Sequence, residues 1–364
     1  MLFRSTLRLT SMWSPYFTEN REQDLKVSHN DSWSTKAELA RKTGRSTLEA
    51  SVAFQWADNS REAPPDIFTY KNFGPGYKVT WVTPDQTVGI LGGIGTLNSA
   101  QRDLPVATKF TLKVGDSAEL ALGGDYPLTE ARRQRPQDSS AYRHQTTDGV
   151  NPNPLVISGD GPDDRTVIAG EQALNYRLLS PAYRAKVQMQ SADAWLQWSD
   201  RGRIAGLPWT YRAGGRLDYN DFLANSDFAP RFLATLAPVR PLTLRFGASR
   251  YYSRALVAYK IREYYPDTVT YTRTGRSENG KLVFYAKDWV QSAKTTSTRY
   301  SNSGLATPYS DEVSLSGTIN LGAFGAADLS GLERRNRDEF SRSASSVSTI
   351  NGVRITSYRI TNAG

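Results

Sequence analysis

From Trp209 to Tyr219 the chain alternates strictly. Trp209, Tyr211, Ala213, Gly215, Leu217 and Tyr219 fall on one side, and Thr210, Arg212, Gly214, Arg216 and Asp218 on the other. Side chains of an extended strand point alternately to two faces. The segment therefore carries one apolar face ended by aromatics and one wet face of arginine, glycine, threonine and aspartate. At about eleven residues it is long enough to cross a bilayer as a tilted strand. The same period of two sets Leu48, Ala50, Val52, Phe54 and Trp56 against Thr47, Glu49, Ser51, Ala53 and Gln55. A hairpin repeats it: Phe110, Leu112 and Val114 oppose Lys109, Thr111 and Lys113, and after Gly115-Asp116, Ala118, Leu120 and Leu122 oppose Glu119 and Ala121. Later come Phe232, Ala234 and Leu236 against Arg231 and Thr235, with Leu233 breaking the polar side. Leu242, Leu244, Phe246 and Ala248 then oppose Thr243, Arg245, Gly247 and Ser249. Val313, Leu315, Gly317, Ile319 and Leu321 oppose Glu312, Ser314, Ser316, Thr318 and Asn320. About 14 to 16 segments satisfy the criterion. They predict an all-β protein, an antiparallel transmembrane β-barrel with a polar interior.

Connections come in two sizes. Short turns are expected at Lys42 to Ser46, Pro84 to Gln86, Gly115-Asp116, Pro238 to Pro241 and Gly322 to Gly325. Long loops are expected at Ser14 to Asp31, Asp58 to Gly76, Pro127 to Arg165, Ser253 to Gly280 and Arg335 to Asn351. Short turns on one side and long loops on the other are what an outer-membrane barrel shows. The alternation of sides breaks at Pro127 to Arg165 unless a strand lies at Pro154 to Ser158, with Gly159 to Asp164 as its turn. Tyr259 to Pro308 reads either as one large loop or as a loop with two weak strands around Lys281 to Trp289. A soluble all-β protein is the alternative. Against it stand strands of about 10 to 13 residues, where about five or six is usual. Aromatics also sit at strand ends on the apolar face: Trp56, Tyr126, Trp209 and Tyr219.

Composition narrows the choice. The 364 residues are 38% apolar, mean hydropathy is −0.53, and no apolar run approaches the length of a transmembrane helix. A barrel tolerates this polarity because only its lipid face must be apolar. The absence of cysteine excludes disulfides and thiolate metal sites. The net charge of +9 is scattered over wet-face positions and loops, with no nucleic-acid motif to organise it. No nucleic-acid partner is expected. Arg4 and Arg8 interrupt any signal-peptide core, while Phe3, Leu7 and Leu9 alternate with Arg4, Thr6, Arg8 and Thr10. The sequence thus opens inside a strand.

Candidate chemistry is sparse. His29 and His144 both stand in expected loops, without a nucleophile or acid at a catalytic spacing. Gly89 to Gly95 lacks phosphate-loop spacing, since Asn98 stands where a third glycine belongs, and reads better as small residues on a crowded inner wall. Asp160, Asp163 and Asp164 fail the calcium-loop spacing. Arg132-Arg133-Gln134-Arg135 suits lipopolysaccharide phosphates or an anionic ligand, though an exposed charge run usually lies in a solvated loop. The candidate lumen-facing set is Glu49, Lys109, Lys113, Glu119, Arg212, Arg216, Asp218, Arg231, Arg245 and Glu312. Such residues either wet the lumen and pair across strands or contact a ligand. No catalytic, metal-binding or cofactor-binding residue is expected, and no enzymatic activity.

Several segments resemble a known family. Ala213-Gly214-Gly215-Arg216-Leu217-Asp218-Tyr219, a short loop and then Ala229-Pro230-Arg231-Phe232 resemble the mid-barrel region of TonB-dependent outer-membrane receptors. Leu242-Thr243-Leu244-Arg245 and Arg250-Tyr251-Tyr252-Ser253-Arg254 are similar to the hairpin arm that follows. Thr307 to Leu315 resembles that family's Pro-x-x-Ser-x-Glu-x-x-Leu strand, and Arg334 to Phe340 its exit. The resemblance covers about Ala185 to Phe340 and marks scaffold positions. It implies a plugged barrel of about 22 strands that takes up scarce chelated nutrients, often ferric siderophores. The implied partners are outer-membrane lipid and lipopolysaccharide, the chelated ligand, and the inner-membrane TonB energy-coupling complex acting through an N-terminal region that this sequence lacks. With no signal peptide, coupling box or plug ahead of the first strand, and no terminal aromatic after Asn362-Ala363-Gly364, residues 1–364 read as an incomplete barrel domain. The alternatives are a plug-free passive pore or structural barrel, and a soluble β-rich binding module.

Overall fold

The computed structural model describes residues 3–20, 26–71, 88–143, 155–158, 166–167, 174–253, 257–278, 281–300 and 304–363. Eleven long strands form one antiparallel meander in which every strand pairs with its neighbours in order. They are β1 (Phe3–Ser14), β2 (Ser32–Thr43), β3 (Ser46–Asp58), β4 (Asn98–Val114), β5 (Ala118–Arg135), β6 (Tyr183–Ile204), β7 (Leu207–Asn220), β8 (Ser226–Val239), β9 (Leu242–Tyr252), β10 (Tyr309–Asn320) and β11 (Ala326–Arg337). Among the described residues β1 and β11 are the two edges, so the sheet is an open wall. It is part of a barrel, and two more strands of wall length, Glu339–Ile350 and Val353–Ala363, follow it in the chain.

One end of the wall carries only tight turns, built on left-handed residues such as Gly44, Gly115, Ala205, Gly206 and Gly322. The other end carries residues 15–31, 59–97, 136–182 and 253–308. Among the described residues two short connections break this asymmetry: Asp338, between Arg337 and Glu339, and residues 221–225, where Asn220 Oδ1 accepts the amides of Phe222 (3.2 Å) and Leu223 (2.9 Å). The latter connection and the β6–β7 hairpin keep later turns on the correct side. The strand expected at Pro154 to Ser158 exists as Leu155–Ser158, but it belongs to a separate four-stranded sheet. Its expected turn, like Pro84 to Gln86, lies outside the described residues.

The long connections are themselves structured. Short strands from three of them, joined by Glu339–Ile350 and Val353–Ala363, make a nine-stranded second sheet that includes parallel pairs. The short helix α1 (Val257–Arg262) sets Ile261 against Ala131, Ala185 and Val187 of the wall. Phe222, Leu223, Leu305 and Ile360 close over Met189 of β6. α1 and, from the second sheet, Ile360 thus pack on one face of the wall near its loop end.

Several expectations need correction. β5 runs on to Arg135, so the loop expected from Pro127 begins only beyond the strand. Arg335 to Asn351 is no loop: Glu339–Ile350 is a strand, and a one-step turn at Asn351 and Gly352 (φ 50° and 78°) returns it to Val353. Serine-rich composition disguised the strand, although Asn-Gly is the strongest short hairpin signal. The second reading of the Tyr259 to Pro308 region holds at Lys281–Tyr285, a strand of the four-stranded sheet, while Val290–Thr295 starts just past the expected window and belongs to the nine-stranded sheet. The glycine-rich Val88–Gly92 also lies in the second sheet instead of the wall. Crowding is nonetheless the reason for one of its glycines, since a Cβ on Gly92 would run into the Asp66 carbonyl oxygen.

Candidate functional site: the polar face of the wall

Cross-strand partners share a face, so the pairing register assigns every wall residue to a side. One row runs Arg4, Lys42, Thr47, Thr111, Ala121, Gln197, Gly214, Arg231, Ser249, Glu312 and Arg334 across all eleven strands. Every member is polar or small. Period two then places Glu49, Lys109, Lys113, Glu119, Arg212, Arg216, Asp218 and Arg245 on that same face. All ten residues singled out in the sequence lie on one side of one sheet.

They meet in small ion pairs and polar contacts. Lys109 Nζ lies 3.1 Å from Glu49. Lys113 stands opposite Glu119, and Glu119 opposite Ser199, which faces Arg212. Arg245 donates to Thr318 Oγ1 at 3.3 Å. Arg334 Nη2 reaches Glu312 at 2.7 Å, and the Arg231 guanidinium lies 4.9 Å from the centre of the Tyr251 ring.

The densest part was only half visible in the sequence. Asp125, Asp193, Asp218 and Asp227 stand opposite one another on four successive strands. Arg216 bridges two of them, to Asp193 at 2.9 Å and Asp218 at 2.6 Å. The Asp193 side chain is 5% exposed, and its Oδ1 has no hydrogen-bond partner. A cavity of about 410 Å³ opens here, lined by Asp103, Thr129, Asp193, Arg216, Asp218 and Asp227 among others. Trp195 also lies on this face, opposite Gly123, where a Cβ would come within 2.7 Å of the indole. Leu233, which breaks the polar pattern, faces Gly247 on the same side. Among the described residues no group of three or more histidines or acids is placed to hold a metal.

The two faces are inverted relative to a soluble sheet. The buried apolar wall residues, Ala53, Ala121, Ala131, Ala185, Val187, Met189 and Ala229, all lie on the polar face. The apolar face is bare, with Leu196 and Leu217 55% exposed and Leu315 60% exposed. Aromatics bound this bare band. Near the turns Trp198 Nε1 donates to the Tyr211 hydroxyl (3.0 Å), and Tyr211 stacks on Trp209 at 4.6 Å. Towards the loops Trp13, Trp33 and Trp56 form one row, and Tyr252 lies 5.5 Å from Tyr309. Ten residue steps from Trp209 to Tyr219 at about 3.4 Å each, tilted by about 45°, give a band about 24 Å tall. Beyond Leu128 the same face turns polar, with Glu130 paired to Arg132 and Lys186.

In the second sheet, burial pushes the Asp66 carboxyl above its usual value, against the opposing pull of Arg177 and Ser140. Of the remaining candidates, His29 ends the short strand Lys26–His29. His144, Asp160, Asp163 and Asp164 lie outside the described residues.

Solved outer-membrane proteins share this architecture. The outer membrane transporter YddB from Escherichia coli matches with a TM-score of 0.60 at 16% identity, over 98% of this chain and 41% of its own. The ferric enterobactin receptor PfeA from Pseudomonas aeruginosa gives 0.57 at 14% identity, over 98% and 44%. The chain has the fold of a TonB-dependent receptor barrel wall. The siderophore receptor PirA from Acinetobacter baumannii gives 0.50 at 12%, over 99% of this chain and 49% of its own. The chain therefore spans less than half the length of these structures. No family model matches the sequence, and no curated protein matches it.

Proposed function

We propose that this chain supplies barrel wall and ligand-facing surface to a TonB-dependent receptor in the outer membrane of a Gram-negative bacterium. That receptor takes up a scarce chelated nutrient such as a ferric siderophore. The inversion of the two faces carries the reading: a bare apolar band about 24 Å tall suits lipid, and the covered, ion-paired face suits an aqueous lumen. The ten charged residues then wet and guide, with outer-membrane lipid and lipopolysaccharide outside and the inner-membrane TonB complex supplying energy. The named neighbours support the receptor reading through fold.

The test is growth. A Gram-negative strain without its own siderophore receptors, given the parent gene, should regain growth on a ferric chelate. Deleting its inner-membrane coupling protein should abolish that growth. Uptake indifferent to energy coupling, with steady conductance of the purified parent protein in a planar bilayer, would instead mark a passive pore.

A further inference from the structure

The Arg132-Arg133-Gln134-Arg135 run ends β5 beyond the apolar band, and alternation splits it. Arg132 lies on the outer face, 2.8 Å from Glu130. Arg133 and Arg135 lie on the polar face. Arg133 stands opposite Ser99, whose amide donates to Ser60 Oγ at 3.0 Å. One step further, Leu97 pairs with Arg61 through an isolated bridge. The β4–β5 ladder ends with Gln134 opposite Asn98, which brings Arg135 alongside the same Leu97 from the other side. Three guanidinium groups from two chain segments thus gather around Leu97 and Ser99.

Their partners are neutral. Arg61 Nε donates to the Gly95 carbonyl at 3.1 Å, Arg133 Nη1 to the Tyr265 hydroxyl at 2.7 Å, and Arg135 Nη1 to the Ser180 carbonyl at 3.3 Å. The Nε atoms of Arg133 and Arg135 are buried without a hydrogen-bond partner, a state that folded proteins rarely leave uncompensated. Asp138, whose charge also reaches Arg135, accepts the Ala182 amide at 2.7 Å. A cavity of about 260 Å³ adjoins the cluster, lined by Lys26, Ser28, Ser60, Arg61, Ser99 and Arg133 among others, with no acid among its described lining. Burial, and then the charges of Arg135 and Arg133, hold the Arg61 guanidinium below its ordinary value.

We propose that Arg61, Arg133 and Arg135 form an anion subsite that takes a carboxylate or phosphate group of a negatively charged ligand. Planar guanidinium forks match planar oxyanions in paired hydrogen bonds. Lipopolysaccharide phosphates would meet the outer face and Arg132, so the ligand is one that enters from solution on the covered side. The proposal rests on the receptor reading only for what becomes of the bound ligand.

The test is equilibrium dialysis of labelled citrate, and separately of inorganic phosphate, against the full chain in detergent micelles, with folding verified by heat-modifiable mobility. At least one anion should bind saturably and more weakly as salt rises. R133Q/R135Q should weaken it by about tenfold or more, as loss of charge-assisted hydrogen bonds requires. Arg61→Gln, on a different segment, should do likewise with β5 intact, and Arg132→Gln should leave binding unchanged. Non-saturable binding of both anions to the folded chain, or equal affinity in all variants, would overturn the site. Citrate binding through these arginines, without energised uptake by the parent protein, would keep the subsite and remove the receptor reading.

Discussion

Arg216 holds together two aspartates that would otherwise repel across adjacent strands. Asp193 is nearly buried and Asp218 is 28% exposed, so removing the cation leaves a buried charge with nothing to offset it. R216M should destabilise the wall by about 3 kcal/mol or more, and adding D193N should restore much of that loss. Denaturant midpoints of the two variants in detergent check this, and equal midpoints for R216M and wild type would contradict it. Gly123 makes a second residue-scale prediction. A Cβ there would run into the Thr108 carbonyl oxygen and meet the Trp195 ring at 2.7 Å, whereas one on Gly331 meets nothing within 4 Å. Gly123→Ala should therefore cost about 1–3 kcal/mol, and Gly331→Ala no more than about 0.5 kcal/mol. Comparable unfolding of both variants would show that Trp195 does not lie over Gly123.

Single elements differ in how openly the sequence declares them. β7 was legible because each face keeps one chemistry from Trp209 to Tyr219. β6 was not, because its faces exchange character along their length. Near the turn Leu196 and Trp198 are outward, but beyond the band Lys186 and Gln188 are outward while Val187 and Met189 lie inward under Leu223 and Ile261. Alternation reports which solvent a face meets, and β6 passes from lipid to water and from open wall to packed loop. The second sheet was illegible for a different reason. Ser139–Arg143 lies parallel to Asp66–Lys71, a pairing between distant segments that no local pattern encodes. Asp66 gives that sheet a pH dependence. Its carboxyl titrates higher folded than unfolded, so its contribution is full below the ordinary carboxylate value and is lost as pH rises through the raised one. Amide protection in Ser139–Arg143, corrected for intrinsic exchange, should fall with rising pH in that window, and Asp66→Asn should flatten the dependence. Identical profiles would mean that Asp66 is solvated.

At the scale of the molecule, the common side of the ten charged residues was readable because period two and short turns fix both faces at once. The aspartate row and the arginine cluster were not, since each assembles residues from several strands whose register only pairing reveals. The proposed setting of the wall puts lipid against one face and water against the other. The chain contains no cysteine, so single cysteines placed in turn from Trp209 to Tyr219 report one site each. Spin-labelled variants in lipid vesicles would be probed with oxygen, which concentrates in lipid, and with a water-soluble nickel relaxant. The odd positions Tyr211, Ala213, Gly215 and Leu217 should favour oxygen, and the even positions Arg212, Gly214 and Arg216 nickel, in strict alternation. Uniform nickel accessibility, or an oxygen response without period two, would contradict a membrane-spanning wall.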